Sequence, residues 1–127
     1  MDATPVDIAT KFSDSWIETV QFYNGLIDDD PGFDRLIPLT IFIHQLKRKG
    51  ADKFFRLGNS MQDLIFSRSI EPGLRPEQKF VAVQAIRNSF VVSLREGKKL
   101  HKEYTIKDLE DDRLTDLLQV LKDTEIN

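Results

Sequence analysis

Cysteine is absent from this sequence of 127 residues, and histidine occurs only twice. The first absence removes disulfides, thiolate metal sites and cysteine nucleophiles together, and it fits a reducing compartment. The second leaves little for metal binding. Neither His44 nor His101 has another histidine or a carboxylate at ligand spacing, so both read as surface or boundary residues. No apolar run approaches a membrane span, and the opening MDATPVDIAT is acidic and polar where a secretory leader is basic and then apolar. The expectation is a cytoplasmic protein without membrane association.

Catalytic signatures are missing as well. There is no glycine-rich phosphate loop or dinucleotide fingerprint. Gly58 precedes Ser60 by two residues, but the second glycine of a nucleophile elbow is absent. The acidic runs Asp28–Asp30 and Glu110–Asp112 fall in a turn and at a helix start, without the alternating ligands and distant glutamate of a calcium loop. No cofactor is expected.

Apolar periodicity is what the chain does have. Lys79 to Ile106 reads as three antiparallel strands, because its apolar residues alternate. A two-residue turn at Arg87-Asn88 pairs Ala85 with Phe90, Val83 with Val92 and Val81 with Leu94. A three-residue loop over Glu96, Gly97 and Lys98 pairs Leu94 with Leu100, Val92 with Lys102 and Phe90 with Tyr104, and so places Leu100 on the apolar face. The other face carries Gln84, Ser93, Arg95, His101, Glu103 and Thr105, with Phe80, Ala82, Ile86 and Val91 as apolar islands.

Around this meander the sequence predicts helices. Thr4, Pro5 and Asp7 form a helix start, followed by an apolar stripe from Ile8 through Trp16 to Ile27 and a stop signal at Asn24-Gly25. A second helix starts near Pro38 and ends in Lys47, Arg48 and Lys49 before Gly50. A short strand is expected over Lys53 to Leu57, with a turn at Gly58-Asn59; Leu64 to Ser67 reads as a further strand, with a helix as the alternative. Leu114, Leu117, Leu118 and Leu121 form a helical seam. These elements amount to one α+β domain over residues 1–127: an antiparallel sheet of three to five strands with two N-terminal helices and one C-terminal helix packed on it.

A net charge of −3 argues against a surface built wholly for nucleic acid. Cations nevertheless cluster twice, as Lys47, Arg48, Lys49, Lys53 and Arg56 after the second helix and as Arg95, Lys98, Lys99 and Lys102, with His101, around the last hairpin. The functional expectation, reached by subtraction, is a small non-catalytic protein-interaction or regulatory module. Its partner is another protein or a second copy, reached through the sheet edge or the leucine helix. The alternative is anion or nucleic-acid binding through the basic clusters at 47–56 and 95–102. A second alternative is a small-molecule enzyme using His44, Arg56 or Arg68.

Overall fold

The computed structural model describes residues 4–127. Helix α1 spans Pro5–Asp29, and the Thr4 side chain accepts from the Asp7 N–H while Asp7 reaches back to the Thr4 backbone, which satisfies donors that a helix start leaves free. The helix does not stop at Asn24-Gly25. It continues because Leu26 and Ile27 still have a core to pack against, and it ends where the Asp30 N–H closes on the Leu26 carbonyl and the Asp30 carboxylate turns to the Gly32 N–H. A 3-10 turn, Pro31–Leu36, leads into α2, Ile37–Arg48, with Pro38 in its first turn.

Five strands follow in one antiparallel meander: β1 Arg56–Ser60, β2 Asp63–Ser67, β3 Lys79–Ile86, β4 Ser89–Glu96 and β5 Lys99–Ile106, neighbours in sheet and sequence alike. Helix α3, Asp112–Lys122, closes the chain over β3 and β4, its start capped by the Asp111 carboxylate on the Arg113 N–H. All three helices lie on one face of the sheet. There Trp16, Phe42 and Phe55 meet Phe66 edge-on, at centroid distances of 5.9 to 6.4 Å, and the α3 leucines cover Val81, Val83 and Val92.

The β3–β4 register is the one the sequence predicts, with Ala85 opposite Phe90 and Asn88 in the left-handed region at φ 64°. Three strand expectations are corrected. Residues 51–53 form a 3-10 turn, and Gly58 and Asn59 sit inside β1 rather than at a turn; the chain reverses at Met61-Gln62, with Met61 at φ 57°. Local turn chemistry is overridden here because Leu57 pairs with Phe66 and Phe55 must be inside. The β4–β5 turn is two residues, Gly97-Lys98, and a bulge sets Arg95 opposite Leu100 but Leu94 opposite Lys102. The extra residue turns Leu100 off the core face, where it is 45 % exposed, while Tyr104 and Ile106 stay inward. Gly97 is required at its position: its φ is +57°, and a Cβ there would sit 2.6 Å from the Pro76 carbonyl oxygen.

Both sheet edges are managed differently. Beside β1, the Ser15 hydroxyl accepts from the Leu57 N–H at 2.9 Å and the Trp16 indole donates to the Phe55 carbonyl at 2.8 Å, so α1 closes that edge. Among the described residues no helix closes the β5 edge, which instead carries Lys99, His101, Lys102 and Glu103 plus its bulge, features that discourage further strand addition. Among the described residues no helix is long and apolar enough to cross a membrane.

Candidate binding face

Strand register fixes which side chains share the face that no helix covers. One transverse row runs Gly58, Ile65, Ala82, Ser93, Glu103; the next runs Arg56, Ser67, Phe80, Arg95, Leu100. The first row is made mostly of small residues and the second mostly of large ones, so the face is troughed rather than flat. The segment between β2 and β3 forms a wall at one end through Gly73 and Leu74. Two clefts result. One of about 320 Å³ lies beneath that wall and includes Arg56, Gly58, Ser67, Leu74 and Phe80; a smaller one of about 190 Å³ includes Asp63, Ala82, Val91, Ser93 and Arg95. They share Ser60, Ile65 and Phe80, which makes them one continuous groove.

Both arginines of the groove are tied down. The Arg56 guanidinium donates from Nε to the Ser69 carbonyl at 2.9 Å and from Nη2 to the Ile70 carbonyl, clamping the start of the β2–β3 segment over the sheet. Burial pulls its pKa below the usual arginine value, against the opposing influence of Glu71 and Glu18. Arg95 donates from Nε to the Ser93 hydroxyl at 3.2 Å and stands 3.8 Å from Glu103, which is why Ser93 is buried on an otherwise open face. Burial raises the Asp63 carboxyl above the ordinary aspartate value, and Arg95 offsets part of that rise.

Gly58 is the informative residue of this face. It lies mid-strand, its φ is not in the left-handed region, and a Cβ built on it would meet nothing within 4 Å. Neither conformation nor crowding demands glycine there, although glycine in a strand interior costs about 0.5–1 kcal/mol relative to alanine. What its missing side chain does is leave the groove open.

The two basic clusters lie on different elements. Lys47 and Arg48 end α2, Lys49 caps it and Lys53 ends the 3-10 turn that leads to β1, the first strand of the sheet order; Lys98, Lys99 and Lys102 lie on the hairpin into β5, the last. The two edges are four strand spacings apart, roughly 19 Å. Only Arg56 and Arg95 share a row on the open face, and both are engaged by neighbouring oxygens. His101 contacts Glu96 at 3.0 Å. Of the residues considered for catalysis, His44 is exposed on α2, and Arg68 donates to the Phe54 and Thr124 carbonyls on the way to the C-terminal tail. Arg56, His44 and Arg68 therefore serve three separate places.

Sequence reasoning identified the apolar islands Phe80, Ala82 and Val91 but missed Gly58 and Ser67. The period-two pattern of β3 and β4 carried the first set. Gly58 carried a turn signal instead, and Ser67 becomes part of a groove only through its partner Arg56. No protein-family model, curated protein or solved structure matches this chain.

Proposed function

We propose that the protein is a non-catalytic interaction module whose contact surface is the helix-free face of the sheet. One observation carries the reading: two clefts join into a groove with the partly exposed Ile65, Phe80, Ala82 and Val91 in its floor, on the sheet face opposite the helices. A half-apolar, grooved sheet face is suited to a protein or peptide ligand. The alternative contacts are less suited. The leucine seam of α3 is buried in the core, and the β5 edge is charged and bulged. Catalysis has less support, since Arg56 is held by backbone carbonyls and Arg95 by Ser93 and Glu103.

The test uses an Ala82→Lys, Val91→Lys double variant, both positions being only partly buried. The wild-type chain is expected to self-associate in light scattering or to retain a protein partner in pull-down, and the double variant to lose that association while keeping its circular dichroism spectrum. A wild-type chain that is strictly monomeric and retains nothing, or association indifferent to the double variant, contradicts the reading.

A further inference from the structure

The larger end of the groove is built as a ligand site in its own right, an inference that rests on reading this face as a binding surface. The Arg56 guanidinium has five N–H donors. Nε and one hydrogen of Nη2 hold the Ser69 and Ile70 carbonyls, and the remaining donors have no protein acceptor among the described residues. Directly opposite in the register stands Ser67, whose hydroxyl accepts from the Ser69 N–H and still has its own proton to give. Charged and neutral donors thus share a cleft of about 320 Å³ with apolar Ile65 and Phe80 in the floor and Leu74 in the wall, beside the polar Asn59, Ser60 and Ser69. Gly58 keeps the space between them empty.

We infer that this cleft takes a carboxylate joined to an unbranched or aryl apolar group, the carboxylate forked on Arg56 and Ser67 and the apolar group laid along Ile65 and Phe80 beneath Leu74. A planar guanidinium with adjacent free N–H groups matches a carboxylate in two-point geometry. The distance from the Arg56 strand to the Phe80 strand, two spacings or roughly 10 Å, suits a medium-length chain rather than acetate or a long lipid. Of the two carboxylates near Arg56, Glu71 is already paired with Lys11 and Glu18 lies on α1, so neither forms an ion pair with the guanidinium. The same chemistry is presented by a free acid and by the terminal residue of a peptide chain.

Two-dimensional amide NMR of the full chain distinguishes these cases. The probes are octanoate, octanol, acetate and a short peptide ending in leucine, with a free or an amidated C-terminus. Saturable shifts at Gly58, Ile65, Gly73 and Phe80 are expected with octanoate or with the free peptide and not with octanol, acetate or the amidated peptide. Whichever of the two binds more tightly identifies the source. Gly58→Leu puts a side chain into the cleft from a position where a Cβ meets nothing within 4 Å and is expected to abolish binding in a folded protein. Arg56→Lys is expected to weaken it by at least about tenfold through loss of a charge-assisted hydrogen bond. Absence of saturable shifts with both carboxylates, equal binding of octanol, or unchanged binding in Gly58→Leu overturns the inference. Because Ala82 and Val91 lie at the other end of the groove, loss of this site leaves the interaction-module test standing, and the reverse outcome separates them equally.

Discussion

At the scale of single residues, two glycines of one sheet make opposite predictions. Gly97 is in the left-handed region against Pro76, so Gly97→Ala is expected to destabilise the fold by about 1–3 kcal/mol, read in urea denaturation. Gly58 meets open space in an ordinary strand conformation, so Gly58→Ala is expected to stabilise by about 0.5–1 kcal/mol. Equal loss in both variants would show that Gly58 is structural and would remove the reason for linking it to the groove. Tyr23 supplies a pH prediction. Its buried hydroxyl donates to the Gln62 carbonyl at 3.0 Å, and burial, helped by the Asp63 carboxylate, pushes its pKa far above the ordinary tyrosine value. The unfolded chain loses this proton near pH ~10 while the folded chain retains it, so the contribution to stability is complete below about pH 10 and declines above it. Tyr23→Phe should cost about 1 kcal/mol at neutral pH and flatten that alkaline decline relative to wild type in parallel denaturation curves. Identical alkaline slopes for the two proteins would contradict the assignment.

At the scale of elements, α1 and β1 behave as one unit, because α1 closes the strand edge as well as covering the sheet. Ser15→Ala leaves the Leu57 N–H without its acceptor and is expected to cost about 1–3 kcal/mol, with amide exchange quickening first at Leu57 and its β1 neighbours. Uniform exchange throughout the sheet would contradict this. The elements also show what a sequence makes legible. The Thr4–Asp7 cap and the β3–β4 register could be read because their determinants are local: a short side chain three residues from its partner, and alternating apolar residues on both sides of a two-residue turn. The β4–β5 register could not, since a bulge adds a residue to one strand without leaving a compositional mark, and Leu100 looked as apolar as the residues it failed to join. Gly58-Asn59 carried a turn signal that a partner strand overrode. Ser15 acts on a residue 42 positions away and has no local signature at all.

At the scale of the whole molecule, fold class was legible because every helix carries a stripe and the central strands alternate, whereas the groove was not. The groove arises from the relative alignment of five strands and from a loop folded over two of them, neither of which is written in any one segment. Charge at this scale gives a further prediction. The lysines of α2 and those of the β4–β5 hairpin belong to separate elements, so at most weak binding of a polyanion is expected. Lys98→Glu with Lys99→Glu is therefore expected to leave partner association within about twofold of wild type, and the wild-type chain to show no salt-dependent retention of generic DNA or RNA. Strong retention at low salt that vanishes in the charge-reversed variant would favour the nucleic-acid alternative instead.

The most direct measurement of the central claim places a photo-crosslinking side chain at one of two exposed or partly exposed apolar sites in otherwise identical proteins: Val91 on the helix-free sheet face, or Val120 on the outer side of α3. The expected result is crosslinking to a partner chain or a second copy from Val91 and none from Val120. Crosslinks from Val120 with Val91 silent would contradict the assignment of the open sheet face as the contact surface.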